Sequence, residues 1–477
     1  MKDHPSNPVA QLPPGPNLPK WVQGLAHLAA PNRLYDMLGK RYGSEFTIWL
    51  PLYGGRAVVI SDPVLVKQLF QTPSDIVRQP EPNLSSVLGW GSSFGLHGPA
   101  HRRRRKLLVP SFHGKRMRAY EDIVEEETLK EIQTWPSGQE FAVMPSTMRI
   151  TLNVILRAVF GAEGAEFETL RELMPPMVTY ASRLMVVPWL HRDLGSRSPW
   201  SRFMAMRARF DQAVDTLIAR AESDPNADAR HDVLSMMLHA RYEDGTAMAH
   251  DEIRDELFTL LAAGHETTAT QLAWTIERLR RHPRVLARLV EEVDLDRSEY
   301  LQATIYESQR MRPVINGAGR LVVGDSLTLG PYVISRGTTI LVAATLMHAS
   351  DGIFAHADTF DPDRFAAGVP DSYSWVPFGG GSRRCLGAPF ANMEMNAVLR
   401  TVLRELRIVP TSARDERWRN RGVAYAPHKG GLAVVYRRPH LPATASLTAE
   451  PGDSDEADRH RHRTCPSTPA AASRTPK

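Results

Sequence analysis

Apolar and polar positions along this chain follow two periods, and the changes of period mark out its elements. Helical spacing begins near Asn32, in RLYDMLGKRYG, and Gly43 supplies the stop. Ahead of it, QLPPGP holds too many prolines to start a helix, so residues 1–30 read as a proline-rich, extended strap. Two strand-like runs follow, 46–50 and 57–60, divided by Pro51 and Gly54-Gly55. SDPVLVKQLF returns to helical spacing, with Ser61 or Asp62 as cap and Pro63 in the first turn. Residues 71–98 form a long loop rich in Pro, Gly and Ser, yet apolar at Leu84, Val87, Leu88, Trp90 and Phe94, which suits a binding lid.

His101 opens a further helix, HRRRRKLLVPSF, which Pro110 closes. The stretch 120–240 is helix-rich; its methionines and valines at 174–187, broken by Pro175-Pro176 and Pro188, read as plain core, and 221–232 as an exposed loop. The longest helical stretch is 251–282, acidic at its start, basic at its end and stopped by Pro283. At 1.5 Å per residue, ~32 residues span about 48 Å, enough to cross a molecule of this size. Its middle, AAGHETTAT, sets glycine and threonine where a core helix would carry leucine. Threonine can bond back to a carbonyl and open a bend, and Thr270 is read as no more than that. Strand-like segments at 320–323, 326–329, 332–334 and 338–342 suggest a small sheet. A helix at 388–406 precedes two strand-like stretches around the turn Val423-Ala424-Tyr425. From 438 to 477 the composition turns to Pro, Ser, Thr, Ala and charge, and this tail reads as disordered. The pattern predicts a mainly α protein with a small β-rich part.

Composition narrows the class. A chain of 477 residues, 42% hydrophobic, can bury a large core. The net charge of +5 is mild and sits largely in local arginine runs, with no interleaved aromatic platform for a nucleic acid. Two cysteines make no disulfide framework, and a reducing compartment is the default. There is no apolar leader and no run of ~18 apolar residues, so a soluble, cytoplasmic protein without a membrane anchor is expected. Cys465 reads as an idle thiol, and the tail histidines of DRHRHR as no metal site.

The chemistry concentrates in FGGGSRRCLG, residues 378–387. Glycines allow a tight turn and the close approach of something flat. Arginines beside Cys385, and the start of a helix just after it, favour thiolate over thiol. The segment resembles the haem-binding loop of the cytochromes P-450, F-G-x-G-x-[RH]-x-C-x-G, and fills every specified position.

That resemblance extends over roughly residues 10–437 through three more motifs in the family's order, and implies the cytochrome P-450 fold: a single catalytic domain, 31–437, with a long central helix over a buried haem b. Cys385 becomes the axial thiolate and metal ligand. His101 and Arg105, four apart on one helix face, become the grip on the haem propionates, with Arg320 as a further partner. Ala263, Phe378, Arg383 and Gly387 become haem neighbours. The family's [AG]-G-x-[DE]-T-[TS] is met at Ala263, Gly264, Glu266, Thr267 and Thr268. There the acid–threonine pair, Glu266 and Thr267, relays protons within a locally opened helix; His265 is read as structural. Glu307, Arg310 and, in PDRF, Arg364 become a buried structural cluster that fixes the cysteine loop. Arg102, Arg103 and Arg104 read as a solvated face and, with Arg384, as a docking surface for an acidic electron donor. The one departure is a short linker, VDLDRSE, between Glu292 and Tyr300.

The implied activity is a haem-thiolate monooxygenase, of the soluble bacterial type, that hydroxylates or epoxidises an apolar small molecule such as a lipid, fatty acid, terpene, steroid or polyketide. Dioxygen is the co-substrate. The electrons come from a ferredoxin with its reductase or another external donor, since no stretch remains for a fused reductase. Apolar lining is expected from Leu84, Val87, Leu88, Leu260, Leu261, Val314, Ile315 and Val423. The alternatives are a haem-binding ligand sensor and a P-450-like isomerase or dehydratase; the Glu266–Thr267 pair argues against each.

Overall fold

The computed structural model describes residues 12–439, apart from 52–53, 81–83, 113, 115, 162–163, 187–194, 196, 227–229, 231 and 369–370. Expectations for Pro188, Cys465 and the tail from 440 onwards lie outside the described residues. One compact unit closes at Arg438.

Helices dominate, and their ends follow their sequence signals. Asp62 is the cap of helix Pro63–Gln71, accepting from the N–H groups of Val64 and Leu65 at 2.8 and 3.0 Å. The central helix, His250–Arg281, is continuous. Its first turn is tied by Glu252, whose carboxylate accepts from Ala249 N–H at 3.1 Å. The helix runs unbroken through the glycine and threonines. Threonines from helix Met144–Phe160 dock on this stretch, Thr147 donating to Ala269 O (3.0 Å) and Thr151 to His265 O (2.9 Å). Small residues on the central helix thus let a second helix come close, and hydroxyls use its carbonyls without breaking it.

The principal sheet has five strands, in the order Glu45–Leu50, Gly55–Ile60, Thr339–Ala343, Gly317–Val322, Val77–Arg78. The second and third are parallel, with Val59 opposite Leu341; the other neighbours are antiparallel, with Phe46 opposite Val59 and Gly319 opposite Leu341. Strand Thr339–Ala343 is buried throughout, as expected of a strand covered on both faces. The largest apolar core lies among the helices, and smaller clusters lie on the two faces of this sheet.

Four expectations need correction. The N-terminal strap is extended only in its first part, where Thr47 N–H and Oγ1 donate to Pro14 O and Pro13 O at 2.9 and 2.8 Å. Beyond Pro19 comes a helix, Lys20–Ala29, since a proline, disfavoured within a helix, can readily precede one. Pro175 and Pro176 do not break helix Ala165–Val186, which runs through both. A double proline forfeits backbone donors and crowds earlier carbonyls; the fully buried Met174 and Met177 beside it hold the segment in place. The lid stretch 71–98 is partly structured, with edge strand Val77–Arg78 and a single helical turn at Ser85–Leu88. Finally, 221–232 is not wholly exposed: Ala221 and Asp232 are buried, Asp232 capping helix Val233–His239 through Ser235 N–H at 2.9 Å.

Candidate active site

The cysteine loop is built by close backbone contacts. Cys385 N–H donates to Phe378 O at 2.9 Å, and Gly379 N–H to Val376 O at 3.0 Å. Gly379 and Gly381 have φ of +65°, a conformation that favours glycine. A Cβ on Gly380 would lie 2.1 Å from the Phe70 ring, and one on Gly381 2.3 Å from Phe70 O. These two glycines therefore admit Phe70 rather than a flat ligand. Gly387 is different: a Cβ there would meet nothing within 4 Å. Cys385, just before it, is open to solvent although deep among protein atoms. Burial raises its thiol pKa, while N–H groups of Gly387 and Ala388 and the charges of Arg105 and Arg384 pull the other way. The net direction corrects the sequence expectation of a lowered pKa: desolvation outweighs arginines and helix end until a positive partner meets the sulfur.

Cations gather beside this thiol. Arg105 acts electrostatically on both Cys385 and Arg383, and Arg383 on Arg320 and His101. Arg383 donates to Ser93 O at 2.8 Å and to Leu96 O, and lies 3.3 Å from His97 Nδ1. Arg320 donates to Gly380 O at 3.0 Å and stacks 5.2 Å over Phe70. Burial brings Arg320 and Arg383 down to about 10, so both stay charged at neutral pH. His101 is held down to about 3 by burial and by the surrounding arginines. One pocket collects His97, His101, Arg320, Arg383 and Phe70. Among the described residues no carboxylate forms an ion pair with Arg105, Arg320 or Arg383. Charges crowded like this without counter-charge suit an anionic ligand.

On the central helix one stripe stays open. From Glu256 to Arg280 the helix is buried except at Leu260, Ala262, Ala263, Gly264 and Thr267, with Ala263 the most exposed. Positions 260, 263, 264 and 267 share one face. Thr267 Oγ1 donates to Ala263 O at 2.6 Å. Glu266 points elsewhere, accepting from Arg421 Nε at 2.9 Å. His265 is buried, its Nδ1 without a hydrogen-bond partner among the described residues, and burial with the Arg421 charge takes it down to about 4. Nothing brings His265 to the open face, in keeping with a structural role. Thr268 bonds the wholly buried Glu394, whose carboxyl burial raises far above its usual range.

The lid is tied from both sides. Asp255 accepts from Gly91 N–H at 2.9 Å, and Glu256 from Ser93 N–H and Oγ at 2.8 and 2.7 Å, while Arg383 holds Ser93 and Leu96 from the cysteine loop. Arg104 joins this network: its guanidinium meets Glu252 at 2.6 Å, Glu256 at 3.3 Å, Gly91 O at 2.7 Å and Tyr242 OH at 2.9 Å. It is 1% exposed. Arg104 therefore does not belong to a solvated face, because acids of the central helix draw it inward. Arg103 pairs with Asp244 at 2.5 Å and stacks on Tyr242, leaving Arg102 and Arg384 as the open cations of that expectation.

Glu307, Arg310 and Arg364 meet as expected. The fully buried Glu307 accepts from Arg310 at 2.7 and 2.8 Å, from Arg364 Nε at 3.2 Å and from Asp361 N–H at 2.8 Å. Arg310 also donates to His348 O and Ala357 O at 2.6 and 2.8 Å. His348 completes the link: Val376 N–H donates to its Nε2 at 3.0 Å, so its Nδ1–H donates to Arg310 O at 3.1 Å. The cluster reaches the cysteine loop through Val376. Phe378 packs edge-on against Trp375.

The apolar residues divide. Val87, Leu88, Leu261 and Val314 are closed by packing, at 2%, 4%, 0% and 7% exposure. Leu84, Leu260, Ile315 and Val423 keep open surface and are the ones that can line a cavity. Leu84, Val87, Leu88 and Leu260 belong to the helical core, whereas Val314 and Ile315 gather with Trp274 and Ala424.

Sequence reasoning missed His97, Arg421, His348 and Glu394. His97 stands four residues before His101, and Arg421 two before Val423, so spacing could have offered those two. The others show only once the chain is folded.

The residues fit a haem. Among the described residues no three His, Cys, Asp or Glu side chains gather as metal ligands, so a metal at Cys385 must bring its remaining ligands with it, as a porphyrin does. The cationic pocket would take propionates, and the open places at Gly387 and Ala263 leave room for a flat ring. Fold and site together define a haem-thiolate protein. The chain belongs to the cytochrome P450 family, whose model matches residues 13–433. It is 50% identical over 434 residues to a Mycobacterium tuberculosis (strain H37Rv) protein provisionally named cytochrome P450 138, covering 91% of this chain and 98% of that one. It is 37% identical over 453 residues to another from the same strain, provisionally named cytochrome P450 135B1, covering 92% and 94%. Among solved structures, retinoic acid-bound cyanobacterial CYP120A1 superposes with a TM-score of 0.79 at 21% identity, covering 90% of this chain and 100% of that one. The cytochrome P450DA heme domain gives 0.75 at 22%, covering 90% and 99%. The protein is a cytochrome P450 monooxygenase, and its cofactor is haem b.

Proposed function

We propose that Cys385 ligates the haem iron and that His101, Arg105, Arg320 and Arg383 hold the propionates, with His97 beside them. The observation that carries this is the continuous run of cations, without acid partners among the described residues, that starts at the Cys385 thiol. A bound haem would supply the chemistry by which dioxygen, two electrons and two protons yield one oxygen atom inserted into a C–H or C=C bond and one molecule of water. The protein's own contribution begins at Gly387 and Ala388, whose N–H groups support the thiolate. Ala263 and Gly264 leave one face of the central helix open where a haem would have room, and Thr267, on that same face, carries a hydroxyl that can pass a proton. Glu266 exchanges protons with solvent when it leaves Arg421. Leu84, Leu260, Ile315 and Val423 exclude water and orient an apolar substrate, which favours a lipid-like or terpenoid molecule over a charged one. Electrons come from a separate acidic donor, a ferredoxin or flavoprotein, that docks against Arg102 and Arg384.

The test is the optical spectrum of the purified, reduced protein under carbon monoxide. The strongly red-shifted band of thiolate-ligated haem is expected, and Cys385→Ser should abolish it. Its persistence in that variant would overturn the ligand assignment.

A further inference from the structure

Ten large apolar side chains stand well exposed among the described residues, and five of them fall within one short stretch: Leu18, Trp21, Leu25, Leu28 and Met37, at 46 to 67% exposure. Trp21, Leu25 and Leu28 lie four and three residues apart on helix Lys20–Ala29, so they form one stripe. The stripe cannot turn inward, because the other face is already seated. Gln23 donates to Leu18 O and accepts from Trp49 N–H, both at 2.8 Å. A Cβ on Gly24 would lie only 3.0 Å from Pro51, so the helix sits against that ring as closely as a glycine allows. The helix is locked with tryptophan and leucines facing out.

The surroundings are basic. Between residues 12 and 43 Lys20, Arg33, Lys40 and Arg41 are exposed, and the only acid is Asp36, paired with Lys40 at 2.9 Å. Arg33, Met37 and Arg41 share one outward face of the next helix, Pro31–Tyr42. A second copy of this chain would bring the same cations to a two-fold contact and be repelled. An anionic lipid surface offers both what the stripe and what its rim require: a headgroup boundary for Trp and Leu, and negative charge for Lys and Arg.

We propose that helix Lys20–Ala29 docks the protein peripherally on an anionic phospholipid bilayer, with Trp21, Leu25 and Leu28 entering the headgroup boundary and the flanking bases holding the phosphates. No described helix is long and apolar enough to cross a membrane; docking needs none. The proposal does not depend on the haem assignments.

Flotation of the full-length, haem-loaded protein with vesicles tests it. Vesicles containing phosphatidylglycerol should carry the protein upward at low salt, pure phosphatidylcholine vesicles much less. Trp21→Ser combined with Leu25→Ser and Leu28→Ser should lower the bound fraction at least about tenfold, and Trp21→Ser alone about threefold. Val64→Ser, at an exposed apolar position elsewhere, should float like the parent. Lys20→Glu with Arg33→Glu should remove the preference for the anionic vesicles. The proposal falls if the parent protein ignores both vesicle types, or if the triple variant floats equally well. It falls too if the triple variant only dissolves a dimer, which would make a second copy the occupant, or if binding appears only after removal of 440–477, which would make the tail the occupant.

Discussion

Arg421 Nε donates to Glu266 Oε1 across 2.9 Å, joining the C-terminal turn to the acid of the central helix. The arginine is about one-third exposed and the glutamate nearly buried. The same turn carries Val423, so the side chain that holds the acid is two residues from one that can meet substrate.

Glu266→Gln keeps the hydrogen bond to Arg421 but removes the exchangeable acid. It should lower kcat about 10²-fold or more with little change in KM, and raise the solvent deuterium isotope effect. Arg421→Gln leaves the acid in place and should cost only about tenfold, with the isotope effect near that of the parent. Equal losses in both variants would show that the pair serves only the packing of the turn.

Breaking the cluster behind the cysteine should cost stability. In Glu307→Gln the buried Arg310 loses its counter-charge, which should lower unfolding free energy by about 3–5 kcal/mol in urea melts. Haem should also be lost more readily, since Arg310 reaches Val376 through His348. A loss below about 1 kcal/mol would contradict a buried ion pair.

The arginines at 102–104 should separate by role. Arg102→Glu together with Arg384→Glu should slow reduction by an acidic donor at low salt and leave substrate affinity unchanged. Arg104→Glu should instead destabilise the fold, facing Glu252 and Glu256 at its buried site. Stopped-flow reduction and thermal melting read the two effects apart; unaltered reduction in the double variant would remove the docking surface.

His348 gives a pH signature. Burial and Arg310 take its pKa from 6.5 to about 3. The unfolded chain therefore binds one more proton than the folded chain between those values. The stability His348 confers is complete above about pH 6.5 and declines as the pH falls below it. His348→Gln should flatten the stability–pH slope between pH 4 and 6 by up to about 1.4 kcal/mol per pH unit. An unchanged slope in denaturant titrations would show that His348 does not take part.

The periodic parts of this fold were legible in the sequence. The central helix, 251–282 by pattern, is His250–Arg281, and strands predicted at 46–50 and 57–60 are Glu45–Leu50 and Gly55–Ile60. Glu307 and Arg310 met as their i, i+3 spacing suggested, and Arg364 joined them as the family resemblance implied. What stayed illegible depends on distant partners. Arg102, Arg103 and Arg104 look alike in sequence, and only the approach of Glu252 and Glu256 sorts the buried one from its neighbours. The glycines before Cys385 gave the turn but not its occupant, because Phe70 comes from some 310 residues away. Helix Ala165–Val186 persists through its prolines since packing overrides local preference.

The turn at Arg421 also bears on how such an enzyme could change. Gly422 adopts φ +106°, and a Cβ there would lie 2.6 Å from Ser182 on a neighbouring helix. Trp274 Nε1 fixes Tyr425 O at 2.8 Å a few residues on. Arg421 N–H also donates to Ala424 O at 2.9 Å, so residues 421–425 have little freedom to move independently. A lineage acquiring a bulkier side chain at Val423 to suit a new molecule would displace Arg421 as well, and with it the hold on Glu266. On the roles proposed for Val423 and Glu266, selection for new specificity and selection for orderly proton handling would act on the same few residues, and adaptation here should proceed through paired rather than single replacements.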